Sequence, residues 1–214
     1  APDFALMWDN AYCLHEVYGE FVPFRDMLTL CREAGNADMV YEFASTSKIT
    51  FPGAGVAVMA ASEANLKYLS GLLGAQTISY DKVNQLRHVR FLQDKAHVLE
   101  LMQRHAAILR PKFEAVLAAL RGIAPLGIAS WTEPKGGYFI SCDAMPGTAK
   151  RVLALCAEAG VTMTPAGATY PGGNDPADSN IRIAPSFPPV EELEQAMQIF
   201  CLALRMAALE KLGI

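Results

Sequence analysis

The chain has 214 residues, of which 52% are hydrophobic and 19% are charged, and its formal net charge at pH 7 is −4. This composition supports one large globular domain, or two smaller ones, around a sizeable core. The acidic balance and the lack of a lysine–arginine run argue against a nucleic acid or an anionic membrane as partner. No apolar run in the sequence is long enough to span a bilayer.

The cysteines and histidines predict neither disulfide bonds nor a metal site. The number of cysteines is odd, no Cys-x-x-Cys pair occurs and their neighbours are apolar, so we expect buried free thiols in a reducing cytoplasm. The histidines show no ligand spacing with carboxylates or cysteines. The residues concerned are Cys13, Cys31, Cys142, Cys156 and Cys201, and His15, His88, His97 and His105.

In the first part of the chain, short apolar runs alternate with amphipathic patterns. These patterns predict strands over residues 4–8, 39–44 and 56–61, and helices over residues 26–34 and 63–73. Ser62 is expected to cap the second helix, since its hydroxyl can accept a bond from a free amide of the first turn. Gly74 is expected to end that helix.

A longer helical pattern follows, with apolar residues three or four positions apart over residues 82–120,. Pro111 is expected to break or kink this helix just before its own position, because proline lacks an amide hydrogen. A helix of this length usually links two domains or packs along both. We therefore predict two domains, residues 1–110, which include the connecting helix, and residues 111–214.

After the long helix, the pattern changes to short strands and helices separated by turns rich in glycine and proline. The predicted strands cover residues 123–128 with 131–133, 161–163 and 180–184, and residues 134–141 are predicted to form a turn and then a strand. The predicted helices cover residues 148–159 and 189–211. The order of elements predicts an α/β fold with part of a mostly parallel sheet, a long connecting helix and a smaller C-terminal α+β domain.

One lysine is notable because it lies on a loop between two predicted buried strands. Ser45, Ser47 and Lys48 follow the first of these strands, and Pro52-Gly53-Ala54-Gly55 then keeps the loop from becoming a helix,. A lysine shielded from water loses its proton more readily and can then condense with an aldehyde. Nearby hydroxyls can bind a phosphate, and glycine lets the backbone approach a ligand. In isolation, Ser-x-Ser-Lys more often marks an exposed turn.

Several motifs along the chain support a chemical role for this lysine. They are Trp-Asp-Asn-Ala-Tyr at residues 8–12, Ser-Lys-Ile-Thr-Phe-Pro-Gly-Ala-Gly at 47–55, Asn-Gln-Leu-Arg-His at 84–88, Gly-Gly-Tyr-Phe at 136–139 and Ser-Asn-Ile-Arg-Ile-Ala-Pro at 179–185. This set resembles the fold-type-I pyridoxal-phosphate aminotransferases of class I/II, and most closely their aspartate aminotransferase-like subgroup. The likeness covers essentially all 214 residues.

The resemblance implies an enzyme that moves an amino group between an amino acid, such as aspartate or glutamate, and a 2-oxo acid. Pyridoxal 5′-phosphate would be its cofactor. Lys48 would hold the cofactor as a Schiff base and act as a general base. Asp9 would pair with the pyridine nitrogen, and Tyr12 would hydrogen-bond the phenolic oxygen of the ring. Ser45 and Ser47 would hold the phosphate.

The resemblance also implies substrate-binding residues in the C-terminal domain. Arg182 would bind the substrate α-carboxylate through a bidentate pair. Gly136, Gly137 and Tyr138 would form a wall over the substrate, although an ordinary hairpin turn explains these three residues equally well. Because the family's sites lie between two subunits, the resemblance implies a homodimer.

One departure from the family pattern concerns the cofactor phosphate. Family members often carry an arginine eight positions after the lysine, where this chain has Val56. Lys82, Asn84, Arg87 and Arg90 could take over that task. Ordinary solvated positions on a helix explain these four residues equally well.

A second departure concerns the N-terminal half of the cofactor site. Neither the phosphate-binding turn nor the ring-stacking aromatic residue of the family can be placed before Asp9. We therefore expect the chain to be the C-terminal half of an enzyme of roughly twice this length. The N-terminal half of the same protein would be its partner, and the chain alone would be inactive.

Three alternatives stay open from the residues alone. Ser45-x-x-Lys48 also fits the Ser-x-x-Lys motif of penicillin-recognising enzymes, but Pro52 follows too soon for the helix that such a serine opens. The turn Gly53-Ala54-Gly55 is a weak dinucleotide signal, because Val58 stands where a third small residue is needed. The aminotransferase fold also serves lyases, racemases, decarboxylases and non-catalytic regulators.

Overall fold

The computed structural model describes residues 3–214, and these residues form two compact units. The first unit contains the chain up to His15 together with Glu20–Gln103, and the second contains Glu16–Gly19 together with Arg104–Ile214. The predicted domains, 1–110 and 111–214, stay a prediction, because compactness does not show which part of a chain folds on its own.

The first unit is built on a three-stranded sheet with the order β1-β2-β3. Its strands are β1 (Leu6–Asp9), β2 (Val40–Ser45) and β3 (Ala57–Ala61). β1 pairs with β2 in parallel, whereas β2 pairs with β3 antiparallel. The strands lie close to their predicted positions, and their pairing is mixed, as expected for part of a mixed, mostly parallel sheet.

Three helices of the first unit begin at capping side chains. They are α1 (Met27–Glu33), α2 (Glu63–Gln76) and α3 (Lys82–Leu92). In each case a side-chain oxygen accepts a hydrogen bond from the amide three positions later, which satisfies a donor that has no partner within the helix. The caps are Asp26, Ser62 and Asp81, with donor–acceptor distances of 2.9, 3.3 and 2.9 Å. The prediction that Gly74 ends α2 is wrong, because Gly74 does not take the left-handed conformation that ends a helix,.

The long helical pattern is interrupted earlier than predicted. α3 ends at Leu92, Gln93 has a φ of 55°, and a new helix, α4 (Lys95–Ile123), begins after Asp94. The Asp94 carboxylate accepts a 2.9 Å hydrogen bond from the His97 amide and caps α4. Pro111 lies inside α4 and does not end it, so the predicted break there is wrong. One lost backbone hydrogen bond is outweighed by the buried apolar face that α4 carries after this proline.

The second unit holds an antiparallel sheet and three helical segments. The strands are β4 (Ala129–Trp131), β5 (Ile140–Ala144) and β6 (Asn180–Ile183), in that order across the sheet, and the helices are the later part of α4, α5 (Ala149–Glu158) and α6 (Val190–Leu212). The largest fully buried side chains of this unit include Phe113 of α4, Ile140 of β5 and Phe200 of α6. They belong to one continuous hydrophobic core, whose burial drives folding of the unit.

Two predicted strands of the second unit need correction. Residues 123–128 form the end of α4 and a short 3-10 turn (Ala124–Leu126), and the strand begins only at Ala129. Residues 161–163 form no strand. The Val161 amide instead donates to the Cys156 carbonyl at 2.8 Å and closes the C-terminus of α5, so it is not available to a β-ladder,. Within residues 3–214, no helix is both long enough and apolar enough to cross a membrane.

The cysteine thiols differ in burial, and this difference predicts their reactivity. Burial raises the pKa of the Cys142 thiol to about 12 and that of the Cys156 thiol to about 11, whereas Cys13 is only half-buried. Because the thiolate is the reactive form, we expect iodoacetamide at pH 8 to modify Cys13 well before Cys142 and Cys156. Peptide mass spectrometry would measure this order, and in guanidinium chloride all three should react. Equal rates under native conditions would contradict the buried positions.

Candidate functional site

The predicted cofactor residues of the first unit lie at one edge of its sheet. β1 and β2 are parallel and end at Asp9 and Ser45, and Asp9 lies opposite Phe43 in the register. The Asn10 amide donates to the Phe43 carbonyl at 2.8 Å, which continues the pairing one residue past β1. Carboxyl ends of parallel strands meet at the same edge of a sheet, where α/β folds place their ligand groups. The structure therefore brings the end of β1 and the loop after β2 to a common edge.

Lys48 lies in a tight turn that is held by backbone hydrogen bonds. The Thr46 carbonyl accepts from the amides of Ile49 at 2.9 Å and Thr50 at 2.8 Å. The Thr46 amide donates to the Val56 carbonyl at 2.9 Å, and the Val56 amide donates back to the Thr46 hydroxyl at 2.9 Å. Residues 46–56 therefore form a loop closed at its base, and we call it the lysine loop.

The expectation that Lys48 is shielded from water is not met by this chain. Lys48 is exposed, as is Asp9, whereas Ile49 next to it is buried. Further along the loop, Phe51 is 70% exposed. Within residues 3–214, much of the Lys48 side chain therefore remains open to water. Desolvation of its amine would need additional cover.

Gly55 allows the two ends of the lysine loop to approach closely. A Cβ atom on Gly55 would lie 2.8 Å from the Ser47 hydroxyl oxygen and 3.1 Å from the Ser47 amide nitrogen. Any larger residue would push Ser47 away. The Asn84 side-chain amide donates to the carbonyl of Ala54 at 2.9 Å and so ties the same end of the loop to α3.

Two histidines contact the lysine loop, and sequence reasoning assigned neither of them a role. The Nε2 atom of His15, which is 4% exposed, lies 3.2 Å from the Lys48 carbonyl. Its ring meets the ring of Tyr12 edge to face, with centroids 5.3 Å apart. The Nε2 atom of His88 lies 3.0 Å from the Thr46 hydroxyl. The only sequence signal for His88 was its place in the Asn-Gln-Leu-Arg-His motif, and His15 had none.

The residues proposed to replace the phosphate-binding arginine lie on α3. Asn84 is engaged by the lysine loop, as described above. Arg87 and Arg90 line a groove of about 390 Å³ together with Phe51 and Phe91. Lys82 is exposed at the start of the helix. Lys82, Arg87 and Arg90 therefore remain the three cationic candidates on α3 for binding the cofactor phosphate.

In the second unit, Arg182 has a partly unsatisfied side chain. It lies on β6 opposite Ser141, with its guanidinium carbon 4.7 Å from the centroid of the Phe139 ring. Its Nε atom is buried and has no hydrogen-bond partner among the described residues. A buried N–H without an acceptor is costly and usually marks a place where a ligand or water completes the bond. The Nε atom of Arg182 is therefore open to an additional acceptor.

The turn before β5 carries the other predicted substrate residues. Gly137 has a φ of 81°, a left-handed conformation that favours glycine,. Tyr138 follows it and is half-buried. The Lys135 carbonyl accepts a 2.8 Å hydrogen bond from the Val17 amide, and Gly136 forms a β-bridge with Glu16. The segment 16–19 therefore fixes this turn within the second unit.

The start of β6, two residues before Arg182, is set by a buried carboxylate. Asp175 is 8% exposed and accepts 2.8 Å hydrogen bonds from the amides of Ser179 and Asn180. The Asn180 side chain in turn donates to the hydroxyl of Ser141 and the carboxylate of Asp143. The backbone N–H groups of Asn180 and Ser179 hold the pKa of the Asp175 carboxyl below its ordinary value of 3.8. This network anchors the strand that carries Arg182.

Asp175 gives a pH-dependent prediction. A carboxyl whose pKa is depressed by folding stabilises the protein above its unfolded pKa, and this contribution is lost as the pH falls through the folded value. Asp175→Asn should therefore lower the melting temperature clearly at pH 6. The difference from the native chain should shrink below about pH 3.8. Thermal unfolding between pH 3 and 7, followed by circular dichroism, measures this difference in melting temperature. The control is Asp38→Asn, a substitution at an exposed position. A difference in melting temperature that increases as the pH falls would contradict the stabilising role of the ionised Asp175 carboxylate.

The structure thus groups the predicted site residues into two sets. Asp9, Tyr12, Ser45, Ser47 and Lys48 belong to the first unit, and Gly137, Tyr138 and Arg182 belong to the second. No cluster of three or more histidine, cysteine or carboxylate side chains that could hold a metal ion occurs within residues 3–214.

Comparison with known proteins gives a consistent result. The family described as aspartate amino-transferase matches residues 1–213. A curated aspartate aminotransferase of Corynebacterium glutamicum is 48% identical over 211 residues, which are 98% of this chain and 49% of that protein. The chain therefore spans about half the length of the curated relatives that it matches.

Solved structures agree with the sequence match. The crystal structure of an aspartate transaminase from Corynebacterium glutamicum superposes with a TM-score of 0.96 at 48% identity, covering 99% of this chain and 50% of that one. The α-aminoadipate aminotransferase from Thermus thermophilus, solved in complex with N-(5′-phosphopyridoxyl)-L-leucine, gives a TM-score of 0.76 at 25% identity. This second match covers 95% of this chain and 51% of that one.

Proposed function

Because the chain belongs to the aspartate amino-transferase family, we propose that the whole protein transfers an amino group between an amino acid and a 2-oxo acid. Its cofactor is pyridoxal 5′-phosphate. The observation that carries this proposal is the closed lysine loop, which presents Lys48 at the same sheet edge as Asp9. The names of the relatives support aspartate as one substrate.

The residues of the first unit fit this cofactor chemically. A phosphorylated pyridine aldehyde needs an amine for its carbonyl carbon, an acid for its ring nitrogen and donors for its phosphate. Lys48 offers the amine, Asp9 the carboxylate, and Ser45 and Ser47 the hydroxyls. Gly55 leaves the space beside the Ser47 hydroxyl open, since a Cβ there would lie 2.8 Å from it. The first unit thus offers one kind of group for the carbonyl carbon, one for the ring nitrogen and one for the phosphate of the cofactor.

Each residue then has a defined task. When bound, the cofactor supplies an electron-withdrawing ring that stabilises negative charge on the substrate Cα. Lys48 would hold it covalently and, once released, would take the proton from the substrate Cα and deliver it to the cofactor carbon. Asp9 keeps a proton on the ring nitrogen. The Tyr12 hydroxyl donates a hydrogen bond to the phenolic oxygen.

Arg182 is the substrate-binding residue of this proposal. Its buried Nε atom has no acceptor among the described residues, and its guanidinium carbon lies 4.7 Å from the centroid of the Phe139 ring. A planar guanidinium binds a carboxylate through two parallel hydrogen bonds. Arg182 therefore binds the α-carboxylate of the amino acid, and Gly137 and Tyr138 lie against the substrate.

Exposure of the first unit supports a partner for this chain. Large apolar side chains of the first unit are well exposed, among them Met7, Phe51 and Val58 at 72%, 70% and 63%. We propose that the N-terminal half of the whole protein and a second copy in a homodimer cover such residues. The chain alone is then inactive, because its lysine stays in water. The five free cysteines support the cytoplasm as its location.

The test is reduction of the whole protein with borohydride after incubation with pyridoxal phosphate. We expect the phosphopyridoxyl group on the peptide that contains Lys48, and amino transfer from aspartate to 2-oxoglutarate. Failure of every amino acid to lose its amino group to the bound cofactor would reject the transaminase. Turnover without amino transfer would instead indicate a lyase, racemase or decarboxylase on the same lysine.

A further inference from the structure

His88 connects α3 to the lysine loop through both of its ring nitrogens. Its Nδ1 atom lies 2.9 Å from the Asn84 carbonyl. A carbonyl oxygen can only accept, so Nδ1 carries the hydrogen, and Nε2 of the neutral ring is then an acceptor. Nε2 faces two hydroxyls, that of Thr46 at 3.0 Å and that of Thr50 at 3.1 Å.

The two threonine hydroxyls have different tasks. The Thr46 hydroxyl already accepts from the Val56 amide at 2.9 Å, so its own hydrogen is free to point at His88. The Thr50 hydroxyl donates to the Thr46 carbonyl at 3.0 Å. A continuous series of hydrogen bonds thus runs from the Asn84 carbonyl through His88 and Thr46 to the Val56 amide.

We propose that His88 is a positioning residue for Lys48. It acts through Thr46, which lies between the two serines of the site and whose carbonyl accepts the amides that form the turn around Lys48. This proposal rests on the proposed function, in which Lys48 bonds the cofactor. Without the imidazole acceptor, the Thr46 hydroxyl must turn to another partner. The closure between Thr46 and Val56 then weakens, and the lysine turn becomes mobile.

The two ring nitrogens allow a matched pair of variants. In His88→Gln, the side-chain amide reaches the position of Nε2 and its oxygen can accept from Thr46. In His88→Asn, the shorter amide reaches only the position of Nδ1, so the bond to Thr46 is lost. His88→Leu removes both bonds. The control is Gln85→Ala, an exposed position on the same helix.

The first measurement needs no cofactor. Hydrogen–deuterium exchange of the whole protein without cofactor reports the amides of Thr50 and Val56, which close the lysine loop. We expect exchange to become about tenfold faster in His88→Asn and His88→Leu, the effect of losing one neutral hydrogen bond. His88→Gln and Gln85→Ala should exchange like the native chain.

The second measurement follows the rate at which pyridoxal phosphate and borohydride label Lys48 in the whole protein. It should fall by the same factor in His88→Asn and His88→Leu and recover in His88→Gln. Equal behaviour of the Asn and Gln variants, or unchanged exchange in His88→Leu, would overturn the proposal. If the native whole protein does not label at Lys48 at all, the proposed function fails, and the exchange data still decide the role of His88.

Discussion

Lys48→Arg is expected to abolish covalent binding of pyridoxal phosphate and to lower amino transfer by the whole protein by at least about 10⁴-fold, the upper range for general acid–base catalysis. Arginine keeps the positive charge and a similar length, but its guanidinium does not give up a proton in proteins. It can therefore serve neither as the amine that bonds the cofactor nor as the base that takes the Cα proton.

Two measurements check this result. Mass spectrometry after borohydride reduction should find no phosphopyridoxyl group on residues 46–56, and a coupled assay should find no oxaloacetate formed from aspartate. Lys67→Arg, at an exposed position of α2, is the matched control and should leave both measurements unchanged. Labelling of another lysine with retained activity in Lys48→Arg would refute the assignment.

Arg182→Lys is expected to lower kcat/KM for the amino acid by roughly 10- to 100-fold, since a bidentate, charge-assisted pair becomes a single one. Lysine retains the charge but loses the planar fork and its stacking on Phe139,. Arg182→Gln should lower kcat/KM further, because the positive charge is lost as well. Neither change should affect the labelling of Lys48.

The comparison with another arginine makes this test specific. Arg205→Lys, at an exposed position of α6, makes the same chemical change and should leave kcat/KM within about twofold, as expected for a surface substitution. Steady-state kinetics with aspartate, together with the rate of Lys48 labelling, separates loss of substrate binding from loss of the cofactor. An Arg182→Lys enzyme with native kcat/KM would show that another group binds the carboxylate.

Local chemistry explains which parts of the fold can be predicted from the sequence. Ser62 is recognisable as a cap because its hydroxyl and the amide of Asn65 are only three residues apart,. The strands β2 and β3 are recognisable because a mostly apolar run needs no partner to be visible. The start of α4 after Asp94 cannot be recognised from the sequence, because the apolar spacing continues across it and the positive φ at Gln93 has no sequence signal.

The site can be predicted only as far as its motifs reach. Asp9, Ser45 and Lys48 are assigned from the sequence because their neighbours along the chain form a recognisable pattern. His15 and His88 are not, because their contacts to the lysine loop span 33 and 42 residues. Exposure of Lys48 is also unpredictable, because burial depends on which surfaces cover a residue and not on the residue itself.

The closed base of the lysine loop has a practical consequence for protein engineering. Thr46 and Val56 hold each other through two reciprocal bonds, and a side chain on Gly55 would collide with Ser47 across the same gap. A designer who wishes to transplant a reactive amine onto a different scaffold would have to move the whole span of residues 46–56 as a cassette. Copying Ser-Thr-Ser-Lys by itself would transfer the lysine without the two Thr46–Val56 hydrogen bonds that close the loop.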